Sequence, residues 1–308
     1  MITNMLLEKI KEVEKIALAS KSERFLMHPF KYSKAILFRE LIYKNRKQEL
    51  GSIADTFFNK KMHILLPSST DIYLTGGKSH VSEIHLAKFL ILNLQNGETF
   101  VDVGAHYGYF SLLSSVIVGE NGLVYAFEAS PKSYNILKKN ADNCSNVHCY
   151  NVAVSDEDST LKFYEFPNLY SEYNTLDVQQ FQNEEWFSNY TPRVIDIKSM
   201  VLERFFDNEK VIPKIIKIDV EGAEFKVIKG LKNFLSSHAP YVVMEFLSEK
   251  RGNVEHTSAE NLLKDLGFFP FMIDHDGHLV QLEDISAYFK TKNLDSDNIV
   301  FKKLKMGD

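Results

Sequence analysis

Two carboxylates lie in apolar runs that are typical of buried strands. Asp102 stands near the end of the first run, and Glu128 ends the second, a little over twenty residues after Gly104. Gly104 and Gly108 would let the backbone turn tightly and pass close to a ligand. The free N–H groups of the helix that follows would point into the same space. This spacing predicts a strand, turn, helix and strand that together bind a nucleotide.

The charge of the turn distinguishes between two nucleotides. A dinucleotide would place its pyrophosphate on the helix N–H groups, where Asp102 would repel it. S-adenosylmethionine has no phosphate and carries an ammonium and a sulfonium, which a carboxylate attracts. Glu128 could bind both ribose hydroxyls of either cofactor. The turn sequence GAHYG lacks the G-x-G-x-x-G pattern, so S-adenosylmethionine is favoured over NAD. Alternatively, the glycines serve only a tight turn in another doubly wound protein.

A third acidic segment follows another apolar run. Asp219, Glu221 and Glu224 surround a single glycine. Because ligands of open α/β sheets bind beyond the carboxyl ends of the strands, Asp219 is expected to share a crevice with the first two acids. Glu224 could instead only stabilise the start of the next helix through the helix dipole. Lys217, on the same strand face as Asp219, is expected to pair with an acid, because burial without a partner is costly.

The elements that would position these residues alternate along the chain. From residue 82, short apolar runs alternate with helical patterns, which is typical of a parallel sheet covered on both faces. Strands are predicted at 99–103, 123–128, 147–152, 214–219, 241–246 and 298–303. Helices are predicted at 82–94, 109–118, 131–142, 224–235 and 258–266.

Between residues 153 and 200 the alternation lapses. The insertion is rich in aromatic residues, namely Tyr164, Tyr170, Tyr173, Trp186, Phe187 and Tyr190. A segment of this length could form part of a substrate wall, or it could be a surface loop with its own small core. The two interpretations are equally favoured.

The first part of the chain has a different pattern. Residues 6–17 repeat apolar side chains at helical spacing, and a second helix is predicted at 33–47. The basic residues of this second region are Lys31, Lys34, Arg39, Lys44, Arg46 and Lys47. They could touch an anionic membrane surface or a lipid-linked glycan, although a solvated helix face is the commoner explanation. A hairpin is predicted from the runs 63–66 and 71–74.

Composition sets broad limits. The chain has 308 residues, 44% of them hydrophobic and 25% charged, so one large domain with an extension is expected. A net charge of -5 argues against a nucleic-acid binder. No transmembrane run or signal peptide is recognised, and two cysteines, Cys144 and Cys149, form no disulfide framework. These features predict a cytoplasmic protein. We divide it into a helical extension with the hairpin, 1–80, and a catalytic domain, 81–308.

Several segments resemble the FkbM-type methyltransferases. They are VDVGAHYGYFS, FEASPKSYNILKKN, NVAVSDEDSTLKFYEF, IIKIDVEGAEFKVIKGL and YVVMEF, and DVEGAE is the most specific. The resemblance covers about residues 99–250. It implies an α/β fold, the Rossmann-like class I methyltransferase with a mostly parallel seven-stranded sheet and helices on both faces. It also implies methylation of a hydroxyl, often on a sugar or a polyketide-like small molecule.

The resemblance carries site residues over by position. Asp102, Gly104 and Gly108 would hold the methionine part of S-adenosylmethionine, and Glu128 the ribose. Ser155 and Asp156 would lie near the adenine edge, and His106 replaces an asparagine that many members carry. The predicted cofactor contacts are Asp102, Gly104, His106, Gly108, Glu128, Ser155, Asp156 and Asp219.

Methyl transfer to an alcohol benefits from a base that takes the hydroxyl proton. The candidates are His106, Asp219, Glu221, Glu224 and Glu245, with His106 and Asp219 ranked first. Asp219, Glu221 and Glu245 could alternatively gather a divalent cation, although no metal is predicted. The leading hypothesis is an O-methyltransferase for a sugar, glycolipid or other small molecule. The alternatives are an NAD-dependent oxidoreductase and a non-catalytic module that binds a partner.

Overall fold

The computed structural model describes residues 2–46, 48–176, 178, 187 and 192–304. Lys47 of the second predicted helix lies outside the described residues, as do Trp186 and Tyr190 of the insertion.

The chain begins with short helices. They are α1 (Ile2–Leu18), α2 (Lys21–Met27), α3 (Pro29–Leu37), a π-helical turn (Phe38–Tyr43) and α4 (Lys44–Arg46). Ser20 caps α2 by accepting from the backbone N–H of Glu23, whose carboxylate accepts from the backbone of Ser20. Pro29 disfavours helix at His28, which separates α2 from α3. The amphipathic first helix is confirmed, with Leu6, Ile10 and Val13 on its buried face.

The predicted hairpin is wrong in one of its strands. Strand β2 (Lys61–Leu66) forms, but its antiparallel partner is β1 (Leu50–Asp55). The run 71–74 instead belongs to helix α5 (Thr70–Thr75), which ends at Gly76 with a φ of 76°. The sequence does not predict strand β1, because apolar and polar residues do not alternate along it. Most of its side chains are partly buried or exposed.

The next elements build the first half of the central sheet. They are α6 (Val81–Asn93), β3 (Thr99–Val103), α7 (Tyr109–Val118), β4 (Leu123–Phe127), α8 (Pro131–Ala141) and β5 (Val147–Tyr150). Their bounds agree closely with the prediction. Ser130 accepts from the backbone N–H of Ser133 and Pro131 follows it, so α8 begins where the sequence indicates.

The insertion forms a separate small sheet. Strands β6 (Ala153–Ser155), β7 (Thr160–Glu165) and β8 (Arg193–Val201) pair in the order β6-β8-β7. A 3₁₀ helix at Asn168–Tyr173 follows β7.

The second half of the central sheet follows. Its elements are α9 (Leu202–Glu209), β9 (Ile215–Ile218), α10 (Glu224–Gly230), α11 (Lys232–Ser237), β10 (Tyr241–Leu247), a 3₁₀ turn (Glu249–Arg251), α12 (Val254–Asp265), β11 (Phe268–Ile273), β12 (Leu279–Gln281), α13 (Ile285–Lys292) and β13 (Ser296–Lys303). The helix predicted at 224–235 is two helices, divided at Leu231. The sequence interpretation omitted β11, β12 and α13.

The central sheet has the order β12-β11-β13-β10-β9-β3-β4-β5. Strands β5, β4, β3, β9 and β10 are parallel, and β13 runs antiparallel between β10 and β11. This topology confirms the Rossmann-like class I methyltransferase fold. The short edge strand β12 adds an eighth strand to the seven expected.

Alternate residues of the central strands enter two apolar cores, one on each face of the sheet. Phe100 and Val124 belong to one core, while Val101 and Tyr125 belong to the other. Leu6 of α1 belongs to the first core, so the extension packs on the sheet. The division at residues 80 and 81 stays a prediction. Within the described residues, no helix is both long and apolar enough to cross a membrane.

Candidate active site

A cavity of about 590 Å³ lies at the carboxyl ends of the parallel strands. Gly104 after β3, Glu128 after β4, Asp219 after β9 and Glu245 of β10 all line it. These positions follow from the sheet topology, because ligands of such sheets bind where the strand order reverses. The predicted acids at the ends of β4 and β9 therefore share one crevice.

The glycine turn brings two strand ends into close contact. Gly104 has a φ of 78°, and a Cβ atom there would lie 1.7 Å from the backbone oxygen of Asp219. The N–H groups of Gly104 and Ala105 donate to the carbonyl of Phe127 at 2.9 and 3.0 Å. Gly108 has a φ of 87°, and its Cβ would meet Leu137 at 2.6 Å. Glycine is therefore required at 104 by both backbone conformation and space.

Glu128 holds the turn from the end of β4. Its carboxylate accepts from the backbone N–H of His106 at 2.7 Å and of Ser130 at 2.9 Å. Burial raises the pKa of Glu128 to about 7, against the opposing effect of these backbone hydrogen bonds. Each carboxylate oxygen can accept a further hydrogen bond. Glu128 can thus bind a ligand hydroxyl while it fixes the turn.

Asp102 lies behind the cavity wall rather than in it. Its carboxylate accepts from the hydroxyl of Ser111 at 2.6 Å and lies 3.5 Å from the ammonium of Lys217. Lys217 also lies 3.1 Å from Asp219, so the expected pairing of this buried lysine is confirmed. Asp102 therefore acts on the cavity through Lys217 and through the turn that follows it.

Three carboxylates converge on the other side of the cavity. One oxygen each of Asp219, Glu221 and Glu245 lies within 4.8 Å of the other two. Burial opposes ionisation of Asp219, but Lys217 and Lys78 outweigh it, and the pKa of Asp219 lies below its usual value. Burial and the charge of Asp219 raise the pKa of Glu245 to about 8. Glu245 is therefore protonated at pH 7 beside the ionised carboxylate of Asp219.

The structure places Glu224 outside this group. Its buried carboxylate accepts from the backbone N–H of Gly222 at 3.0 Å and of Val220 at 3.4 Å. The imidazole of His256 lies 3.5 Å away on the far side. Glu224 therefore fixes the turn before α10, which agrees with its alternative interpretation as a helix-start residue.

Ser155 and Asp156 also lie outside the cavity lining. The Ser155 hydroxyl donates to Asp156 at 3.3 Å, and Asp156 pairs with Lys229 at 2.7 Å. The residues immediately before them, from Val152 to Val154, line the cavity instead.

His106 lies in the cavity with a left-handed backbone conformation, at a φ of 49°. Its Nε2 atom is 3.1 Å from the hydroxyl of Ser171, and its ring stacks on Tyr107 at 3.7 Å. Burial lowers the pKa of His106 to about 4. The imidazole is therefore neutral at pH 7.

Sequence reasoning missed a group of ion pairs in the cavity wall, in which Lys78 and Glu83 are partly buried and Glu172 is half exposed. Lys78, from the loop before α6, lies 2.7 Å from Glu83 and 2.8 Å from Glu172 of the insertion. Burial alone would lower the pKa of Lys78, but Glu172 and Glu83 outweigh it and raise the pKa. Lys78 and Glu172 stand in segments without helix or strand periodicity, so nothing in the pattern pointed to them.

The raised pKa of Glu128 predicts a pH-dependent stability. The folded state keeps a proton between about pH 4.5 and 7 that the unfolded state releases, so the contribution of Glu128 to stability falls as the pH rises through this window. Glu128→Gln has no such carboxyl group, so its stability does not fall for this reason. We expect the unfolding free energy of the variant minus that of the parent to increase by roughly 1–3 kcal/mol from pH 5 to pH 8. Urea unfolding measures it, with Glu249→Gln at an exposed site as control. A difference that shrinks as the pH rises would contradict the prediction.

Comparison with known proteins supports the family resemblance. The profile described as Methyltransferase FkbM domain matches residues 102–270, which is 169 of the 308 residues. Methyltransferase sdnD of Sordaria araneosa is 29% identical over 166 residues, covering 46% of this chain and 63% of that protein. The chain thus matches less than two thirds of sdnD.

Two further proteins are similar. Hexuronic acid methyltransferase AglP of Haloferax volcanii is 25% identical over 192 residues, covering 57% of this chain and 72% of AglP. The crystal structure of methyltransferase FkbM from Methylobacillus flagellatus KT has 14% identity and a TM-score of 0.41, covering 76% of this chain and 52% of that one. On the profile match, which covers more than half of its length, the chain belongs to the FkbM methyltransferase family.

Proposed function

We propose that this protein is an S-adenosylmethionine-dependent O-methyltransferase that acts on a hydroxyl of a sugar, a glycan or another small molecule. The observation that carries the proposal is the Gly104 turn, which leaves no room for a side chain and lies between acidic strand ends. The family membership supports methyl transfer as the reaction class.

The residues present fit S-adenosylmethionine. The turn at Gly104 presents backbone to the cavity, and Glu128 and Asp219 face it with carboxylates that suit ribose hydroxyls and a cationic methionine part. We propose that Gly104, His106, Glu128 and Asp219 hold the cofactor directly, while Asp102 positions Lys217 behind them. When bound, S-adenosylmethionine supplies a methyl group already activated by a sulfonium.

The protein must then orient the acceptor hydroxyl and accept its proton. Asp219 is the strongest candidate, because Lys217 keeps its carboxylate ionised and it faces the cavity. The hydroxyl proton would pass to the Asp219 carboxylate as the oxygen bonds to the methyl group, and the neighbouring Glu245, protonated at pH 7, would keep its own proton. His106 is the second candidate, since its neutral imidazole can accept a proton. Glu221 lies close enough to orient the hydroxyl.

Titration calorimetry tests the cofactor. S-adenosylmethionine should bind the folded protein and NADH should not. Binding of NADH alone would favour the oxidoreductase alternative, and binding of neither would favour the non-catalytic module. Addition of EDTA to a methyl-transfer assay tests the further alternative that Asp219, Glu221 and Glu245 hold a divalent cation, because activity would then be lost. A cytoplasmic location stays a prediction.

The charge of the cavity favours an uncharged acceptor. Its acidic lining residues include Glu83, Glu128, Glu172, Asp219, Glu221 and Glu245. Among the described lining residues, Lys78 is held by two glutamates, and the charge of Arg251 acts on Glu221. A carboxylate on the acceptor would be repelled by Asp219 and Glu172, whose lowered pKa values keep them ionised. It would also add to the negative charge that, together with burial, already raises the pKa of Glu221 and Glu245.

We accordingly expect neutral glycosides to accept labelled methyl groups about tenfold faster, or more, than the matching uronic acids. Mass spectrometry of reactions with an isotopically labelled methyl donor measures both rates. A preference for the uronic acids, the class named for AglP, would contradict the expectation about charge while leaving the cofactor assignment intact.

A further inference from the structure

The helices before β1 expose an unusual amount of apolar surface. Of the twenty large apolar side chains that are exposed within the described residues, eight lie between positions 25 and 42. The most exposed are Phe30 at 91%, Leu26 at 76%, Leu41 at 62% and Leu37 at 55%. Single exposed apolar residues are normal on proteins, but a contiguous group of this kind marks an interaction surface.

These residues are exposed because another face of the same helices packs on the protein. In α3 and the π-helical turn, Ala35, Phe38 and Tyr43 are buried. Leu37 and Leu41 are one turn apart on the outer side, and Phe30 is two turns before Leu37. The edge-to-face contact of Phe25 with Tyr32, at 6.0 Å, holds α2 against α3. The exposed apolar residues of α2, α3 and the π-helical turn therefore form one surface, which we call the 21–46 surface and which comprises Phe25, Leu26, Met27, Phe30, Ile36, Leu37, Leu41 and Ile42 with the basic residues of the same segment.

The same segment is basic. Residues 21–46 contain seven lysines and arginines and two glutamates, which give a net charge of +5. Because the whole chain carries -5, the remaining residues carry -10. The basic residues are Lys21, Arg24, Lys31, Lys34, Arg39, Lys44 and Arg46. All but Arg24 are exposed. Exposed apolar and cationic side chains thus occur in the same segment of an otherwise acidic protein.

We infer that the 21–46 surface binds an anionic lipid bilayer, lying in the headgroup region without crossing it. Amphipathic helices with Phe and Leu beside Lys and Arg bind membranes in this way. Anionic lipids attract each basic residue near the membrane surface. A protein partner or a second copy of the chain fits less well, because lysine is depleted from protein interfaces and four lysines stand in this segment.

The surface is connected to the cavity wall. The Tyr43 hydroxyl accepts from the backbone N–H of Leu169, in the 3₁₀ helix that carries Ser171 and Glu172. The ammonium groups of Lys31 and Lys34 each lie 5.7 Å from the ring centre of Tyr73 in α5. A bilayer on the 21–46 surface would therefore lie next to the 3₁₀ helix that contributes Ser171 and Glu172 to the cavity lining, although the inference does not depend on the proposed activity.

Co-sedimentation of the full chain with lipid vesicles tests the inference. We expect binding to vesicles of phosphatidylcholine with phosphatidylglycerol, weaker binding at high salt, and little binding to phosphatidylcholine alone. Phe30→Ser with Leu41→Ser should lower the partition coefficient about tenfold or more, because two exposed apolar side chains no longer enter the lipid. Lys21→Glu with Arg46→Glu should lower it and weaken its salt dependence.

A matched control uses apolar residues of similar exposure elsewhere. Ile212 and Val254, exposed to 67% and 74%, lie outside the surface, and Ile212→Ser with Val254→Ser should leave vesicle binding unchanged. Thermal unfolding confirms that each variant is folded. The inference is overturned if the parent binds neither vesicle or both equally, or if both serine pairs behave alike. It is also overturned if light scattering shows that the parent is a dimer and that, of the two serine pairs, only Phe30→Ser with Leu41→Ser makes it a monomer.

Discussion

Gly104→Ala is expected to lose about 100-fold or more of the affinity for S-adenosylmethionine. The new Cβ would lie 1.7 Å from the Asp219 backbone oxygen, where real contacts are at least 3.0 Å, so the ends of β3 and β9 must separate by about 1.3 Å. A misplacement of about 1 Å lowers the rate of a reaction that depends on alignment roughly 100-fold. We expect a loss of the same order in cofactor affinity, because the same backbone would be displaced from the ligand. Titration calorimetry of the folded variant measures the loss.

Gly97→Ala is the matched control. Gly97 also has a left-handed backbone, with a φ of 86°, but no atom lies within 4 Å of the position of its Cβ. Its cost in unfolding free energy is the conformational term alone, about 1–2 kcal/mol. Its cofactor affinity should match that of the parent. If Gly104→Ala also kept parental affinity, the turn would not be the cofactor site.

Asp219→Asn is expected to lower kcat about 100-fold to 10,000-fold, once an acceptor is found. The amide cannot accept the hydroxyl proton, and a positioned base contributes a factor of this size. Affinity for S-adenosylmethionine should fall much less, because Gly104 and Glu128 remain. Stopped assays at saturating cofactor separate the two quantities. Lys217 keeps Asp102 as a partner in the variant, so the buried lysine is not left alone.

Two comparisons make the assignment of the base specific. Asp196→Asn removes an exposed carboxylate that pairs with Lys162 outside the cavity, and it should leave kcat unchanged. His106→Gln should lower kcat less than Asp219→Asn does. The reverse order would identify His106 as the base, and an equal, small effect of both would mean that the hydroxyl loses its proton to water.

The sequence predicted the part of the site that depends on regular structure. Asp219, Glu221 and Glu245 were grouped because they stand at strand ends, and the structure brings their oxygens together. Strand periodicity and parallel topology suffice for that inference, since parallel strands end at one edge. The FkbM resemblance supplied the rest of the fold class, which the strand order confirms.

Features that depend on irregular segments were not predictable. Lys78 and Glu172 are 94 positions apart and meet only because the loop before α6 and the insertion cover the same cavity. No local pattern encodes such a contact. The partner of β2 was missed for a similar reason, because β1 is largely exposed and carries no apolar alternation.

The ion pairs of Lys78 constrain how the protein can change. One ammonium balances two carboxylates contributed by α6 and by the insertion. Replacing the lysine alone would leave the partly buried carboxylate of Glu83 without its counter-charge beside that of Glu172, and replacing one glutamate would alter the electrostatic balance of the other pair. The three positions are thus coupled, and the effect of changing one of them, in evolution or by design, depends on which residues occupy the other two.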